Sequence, residues 1–137
     1  MQFNVEHFGL AARDPVSLAD WYVRRLGGQR FFHCDNPGKP PTLFVRLPGP
    51  LVLEIYPAAH HLAETGDNSV AGWRHLALQV SSLDEARDHL RALGVNFTQP
   101  VKPAGGGGRV LFFQDPEGNL LHLVERQPDS VFRCATA

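Results

Sequence analysis

Apolar and polar positions along the chain follow two periods, about two and about 3.6 residues, and the order in which they appear repeats once. Residues 3–12 (FNVEHFGLAA) are dense in apolar side chains and run to an Asp-Pro pair, a strand leading into a helix start with Asp14 as cap and Pro15 in the first turn. From Val16 to Leu26, the positions Leu18, Trp21, Tyr22, Val23 and Leu26 keep helical spacing, and Gly27-Gly28 ends the run. Strand-like FFH, the turn-rich DNPGKPP, strand-like TLFVRL, the turn PGP and strand-like LVLEIY follow, closed by Pro57. The first half therefore reads strand, helix, three strands.

Residues 58–72 hold no sustained period and read as a linker. The pattern then restarts. WRHLALQV is a strand, Ser82 caps a helix, and Leu83, Ala86, Leu90 and Leu93 share one helical face before Gly94. NFTQP, RVLFFQD and LLHLVER supply three more strands, with a DPEGN turn between the last two. The repeat is also numerical. His7 and His75 lie 68 positions apart, as do Glu54 and His122, and 47 positions separate the first and last of these within each half. The helix ends at Leu26-Gly27 and Leu93-Gly94 differ by 67, so small length changes compensate between the copies.

Composition narrows the class. With 137 residues and 43% apolar content, one compact domain with a real core is expected over 1–137: module one about 1–57, linker about 58–72, module two about 73–126 and a tail 127–137. A formal net charge of -1 with scattered charges gives no reason to expect nucleic acid or an anionic membrane as partner. Small molecules are the expected ligands. The start MQFNVEHFGLAARD has no basic segment followed by an apolar run, and no stretch is long enough to span a bilayer. Cys34 and Cys134 are the only cysteines, too few for a disulfide framework. The expected compartment is the cytoplasm.

His7, Glu54, His75 and His122 each read as mid-strand among apolar neighbours, where an unpartnered imidazole or carboxylate would cost several kcal/mol. Alternation puts His7 with Val5 and Gly9, Glu54 with Val52 and Tyr56, His75 with Ala77 and Gln79, and His122 with Val124. Three imidazoles and one carboxylate match the donors that borderline divalent metals prefer, leaving Zn, Ni, Co, Mn and Fe open. His60-His61 in the linker, and His33 and His89, read as solvated surface residues.

The segments VEHFGLAARDPVSLADWYVRRLGG, LVLEIYP, WRHLALQVSSLDEARDHLRALG and DPEGNLLHLVE, in this order and spacing, resemble the vicinal-oxygen-chelate superfamily. That superfamily includes glyoxalase I, fosfomycin-resistance proteins, bleomycin-binding proteins and extradiol dioxygenases. The resemblance implies an α+β fold of two βαβββ modules forming an open eight-stranded cup. It implies metal ligands on the first and last strands of each module, here His7, Glu54, His75 and His122. It also implies a homodimer, with the ligands drawn from one chain or from two. Glyoxalases of this type carry Glu at the last position, where this chain has His122. Neutral imidazole there raises the charge of the site by one, strengthens the metal as a Lewis acid and removes a candidate base. Glu54 is then the remaining ligand carboxylate and the candidate catalytic base. Glu125 has the opposite parity to His122 and reads as structural.

Phe44, Arg46, Phe112 and Gln114 fall on strands expected to line the cup, where aromatic walls and a few polar groups would hold a substrate. The GGGGR segment lacks the Lys-Ser/Thr ending of a phosphate loop and precedes a strand. It reads as a mobile loop whose Arg109 would bind a substrate carboxylate or phosphate, or face solvent. The expected function is metal-dependent lyase or isomerase chemistry of the glyoxalase I type. A non-haem iron dioxygenase and a drug-binding resistance protein are the alternatives; a thiol transferase of the fosfomycin-resistance type is adjacent.

Overall fold

A computed structural model describes residues 1–61 and 63–132 of the chain. Cys134 lies outside the described residues. The chain divides into two compact units, Met1–Leu62 and Ala63–Ala137, and the division falls inside the segment expected to be a linker. Each unit is a βαβββ module, so the fold class is α+β, as the sequence pattern implies.

In the first unit the order is β1 (Phe8–Ala12), α1 (Pro15–Leu26), β2 (Gln29–Asn36), β3 (Lys39–Leu47) and β4 (Leu51–Pro57). The sheet runs β1-β4-β3-β2, with β1 parallel to β4 and the other pairs antiparallel. Helix α1 starts where Asp14 accepts the backbone N–H of Ser17 at 3.0 Å, and it ends on Gly27 in the left-handed region at φ 70°. Pro15, Leu18, Ala19 and Tyr22 are buried. So are Leu43, Val45, Leu47, Leu53 and Ile55 on the strands that α1 covers. Alternation leaves Phe44, Arg46, Val52, Glu54 and Tyr56 on the helix-free face.

The second unit repeats this with β5 (His75–Gln79), α2 (Leu83–Ala92), β6 (Lys102–Pro103), β7 (Arg109–Gln114) and β8 (Leu120–Glu125), and its sheet runs β5-β8-β7-β6. A single turn of 3-10 helix, Ala63–Gly66, precedes it. Ser82 caps α2 by accepting the N–H of Glu85. Leu111, Phe113, Leu121 and Leu123 form the buried face under Leu83 and Leu90. The register repeats at the same 68-position offset: Glu54 lies opposite Gly9 and Phe44, and His122 lies opposite Ala77 and Phe112.

Three local expectations change. The first strand begins at Phe8 rather than Phe3; with Phe8 opposite Leu53, the register carried back to Val5 and Phe3 would run past Leu51, where β4 starts, and both of these residues are exposed. NFTQP is not a strand. Only Lys102–Pro103 pairs with β7, and the prolines at 100 and 103 supply no N–H to a ladder. The GGGG segment is a hydrogen-bonded turn: Gly107 donates to Ala104, Ala104 donates to Gly108, and the Arg126 guanidinium donates to the carbonyls of Gly105 and Gly107.

Candidate functional site: two donor pairs on helix-free sheet faces

Each unit brings two of the four expected donors together. In the first, His7 stands one residue before β1, and its Nε2 lies 2.8 Å from Oε2 of Glu54 at the middle of β4. The other ring nitrogen, Nδ1, meets Oε1 of Glu6 at 2.9 Å. Both His7 and Glu54 are partly exposed. Gly9, directly opposite Glu54, carries no side chain where the Tyr56 ring lies, since a Cβ there would sit 3.2 Å from Tyr56 Cε1. The Phe44 ring stands edge-on to His7 at 6.2 Å between centroids.

In the second unit His75 opens β5 and His122 sits mid-β8, their ring centroids 4.7 Å apart. Phe112 packs against both, 5.7 Å from His75 and 4.8 Å from His122. His75 Nδ1 is 2.8 Å from Oδ1 of Asn68; with the proton on Nδ1, Nε2 is left with its lone pair for another partner. His122 is buried, and among the described residues its Nδ1 has no hydrogen-bond partner. Burial first, then the neighbouring charges of His75 and Arg126, push its pKa down to about 4, so it is a neutral imidazole at pH 7. A buried ring nitrogen with an uncommitted lone pair or proton is an unpaid polar group unless something binds it.

Neutral imidazoles and a carboxylate suit a divalent cation chemically. Among the described residues, however, no group of three or more His, Cys, Asp or Glu gathers in one place, so each unit by itself offers half of a donor set.

Phe44, Arg46, Phe112 and Gln114 lie on the same helix-free faces as the donors. Arg109 does not. It is the first residue of β7 and shares parity with buried Leu111 and Phe113, so it stands on the helix-covered face. There its guanidinium reaches Glu125 at 3.1 Å and Asp84 at 3.5 Å, which raises its pKa. The expected role in gripping a substrate anion is thus corrected by strand parity: Arg109 pairs with carboxylates of its own unit. Glu125 is held below the usual carboxylate range by the Leu83 N–H and by Arg109. His33, His60, His61 and His89 are exposed, and Cys34 is an exposed free thiol.

Three contributors carry little or no mark in the sequence. Asn68 sits in the aperiodic segment, where nothing marks it. Phe31 and Phe32 are consecutive, which on a regular strand would send them to opposite faces; a bulge between Arg30 and Phe32 turns both toward Phe44.

The model of the Glyoxalase/Bleomycin resistance protein/Dioxygenase superfamily matches residues 4–123, nearly the whole chain. The chain belongs to this superfamily. Within it, YwkD of Bacillus subtilis, an uncharacterized protein, is 29% identical over 125 residues, covering 90% of this chain and 97% of that one. A lactoylglutathione lyase of Escherichia coli O157:H7 is 27% identical over 123 residues, covering 88% and 91%. The crystal structure of a glyoxalase family protein from Enterococcus faecalis superposes with a TM-score of 0.75 at 27% identity, covering 89% of this chain and 97% of that one. Superfamily membership accounts for the two-module fold. Among the described residues no helix is long and apolar enough to cross a membrane.

Proposed function

We propose that this protein is a divalent-metal-dependent enzyme acting on a small substrate that presents two neighbouring oxygens, a lyase or isomerase similar to glyoxalase I. The observation that carries the reading is the matched pair of donors. Glu54 and His122 occupy equivalent register positions, and each meets a histidine, His7 or His75, that lies 47 positions earlier in the chain. We assign all four as ligands of one cation (Zn, Ni, Co, Mn or Fe), which when bound would polarise a substrate carbonyl. The unsatisfied Nδ1 of buried His122 supports this, because ligation would satisfy it.

The chain's own residues then divide the work. Asn68 fixes the His75 ring so that Nε2 is the donor nitrogen, and Glu6 does the same for His7. Glu54, the one carboxylate in the donor set, would be the proton acceptor on loosening from the metal. Phe44 stands edge-on beside His7, and Phe112 packs against His75 and His122, an apolar wall next to each donor pair. Among the described residues β1 and β5 are each the edge strand of a sheet, and an edge strand is where a second copy can pair, which supports a homodimer as the working form. We take the protein to act in the cytoplasm.

The test is metal content by mass spectrometry on protein purified without chelator, comparing wild type with His75→Ala and His122→Ala. Near-stoichiometric metal that both substitutions deplete is the expected result. The first reaction to assay is the one named for the Escherichia coli relative, lactoylglutathione lyase. An iron-loaded protein would redirect the assay to dioxygenase chemistry. Protein that stays metal-free after reconstitution with each of the five ions would overturn the reading and leave a binding module.

A further inference from the structure

We propose that the helix-free face of the first unit binds an anionic aromatic small molecule, its carboxylate at Arg46 and its ring against Phe31, Phe32 and Phe44; this deepens the reading above, on which it rests only for the chemistry done there.

The face is built by one irregularity. Arg30 pairs with Val45 and reaches Asp20 of α1 at 3.2 Å on the helix side, while Phe32 pairs with Phe44 on the opposite side. Phe31 is the extra residue between them, and its ring lies 6.3 Å from Phe44 and 4.2 Å from the Arg46 guanidinium carbon, on the same side as Phe32. Phe32 completes the cluster at 5.6 Å from Phe44. Three phenylalanines thus share one face, two of them about half exposed at 45% and 57%. A contiguous apolar patch left open beside a polar centre is the usual form of a ligand wall.

Two further observations select the ligand. Arg46 stacks on Phe31 and has no carboxylate partner among the described residues, whereas Arg30, Arg87 and Arg109 are all paired with acids. A guanidinium lying over a ring can keep its N–H fork free for a planar carboxylate. The repeated unit also shows that the aromatic pair is not required to build the sheet. There Phe112 and Gln114 occupy the places of Phe44 and Arg46 at the 68-position offset, and the places of Phe31 and Phe32 fall to Gln99 and Pro100, outside any strand. The first unit therefore carries an aromatic pair and a guanidinium that the second does without; there the cation over Phe112 is Lys102, at 5.9 Å. Phe44 is directly opposite Glu54 and near His7, so a ring seated here abuts the donor pair.

The probe is 2-naphthoate, titrated calorimetrically into metal-free and metal-loaded full-length protein, with cyclohexanecarboxylate and uncharged 2-naphthalenemethanol as comparisons. Naphthoate is expected to bind most tightly. Arg46→Gln should weaken naphthoate about tenfold or more and leave the alcohol unchanged, the loss typical of a charge-assisted contact. Arg46→Lys should restore only part of it, and Phe32→Ala should weaken both aromatic probes. Equal binding of naphthoate and cyclohexanecarboxylate would overturn the aromatic assignment. No binding to either form of the protein would overturn the proposal altogether. So would sedimentation in which Phe31→Ser and Phe32→Ser dissociate a dimer while naphthoate fails to bind, since a second copy would then cover the face. Naphthoate bound to a protein that never takes up metal would sustain this inference while the metal reading fails.

Discussion

Glu125 at the end of β8 accepts the backbone N–H of Leu83 at 2.7 Å, tying the last strand of the second unit to the first turn of its helix across 42 positions of sequence. The same carboxylate takes Arg109 at 3.1 Å, so one side chain satisfies an orphan helix N–H and neutralises a guanidinium on the helix-covered face. Glu125→Ala is expected to destabilise the protein by about 1–2 kcal/mol, because a helix N–H and a charged partner lose their acceptor together. The native contribution is present above the ordinary carboxylate range and is lost as pH falls through the lowered pKa of Glu125. Urea unfolding at pH 7 measures this, with metal content as the control. An unchanged midpoint would show the contact to be energetically idle.

A second expectation concerns acid sensitivity of the metal-free protein. His122 titrates near 4 in the fold against 6.5 for the unperturbed side chain, chiefly through burial. The unfolded chain therefore takes a proton first as pH drops below about 6.5. Stability is full above that value and falls progressively until about pH 4. Between pH 7 and 5 the loss from this one group is about 2 kcal/mol. Unfolding midpoints of wild type and His122→Gln at both pH values provide the check, and the variant should lose less. Identical pH slopes in the two proteins would sink the account.

How much of this could be read from residues alone depends on whether local rules held. Asp14, Ser82 and Gly27 announced the helix ends because caps act within one turn. The 68-position offset placed Glu54 and His122 in equivalent registers because both lie inside regular strands, where parity is reliable. Arg109 reads both as the end of the GGGGR segment and as the first residue of the RVLFFQD strand, and only the period extended back from Leu111 and Phe113 puts it under the helix, where it lies. Phe31 defeats parity because the bulge inserts a residue that no spacing rule reports. Asn68 acquires its place from the tertiary path of an aperiodic segment, seven positions from the ring it meets.

The glycine run before β7 gives a sharp contrast between neighbours. Gly108 has φ +96°, and a Cβ there would run into the backbone carbonyl of Glu125, which cannot move without disturbing the ladder. Gly105 has nothing within 4 Å and no left-handed backbone. Gly108→Ala is expected to cost about 2–3 kcal/mol or more, from strain and collision combined. Gly105→Ala should stay within about 0.5 kcal/mol, since its carbonyl still meets Arg126. Thermal unfolding of the two variants decides the matter, and equal melting temperatures would contradict it.

Asn68 offers the most direct probe of how the histidines are held. Its Oδ1 faces His75 Nδ1 at 2.8 Å, which fixes the tautomer and ring orientation that leave Nε2 as donor. If His75 is a ligand, Asn68→Ala should weaken metal binding by about 10–100-fold, the usual range for removing a ligand's outer partner. Asn68→Asp should keep or strengthen binding, because a carboxylate accepts the same proton and raises imidazole basicity. Chelator competition gives the dissociation constants, and urea unfolding of the metal-free variants separates orientation from folding. A purely structural Asn68 would lower stability and leave affinity alone. An orienting Asn68 lowers affinity, is rescued by the acid, and leaves the metal-free unfolding midpoint close to wild type.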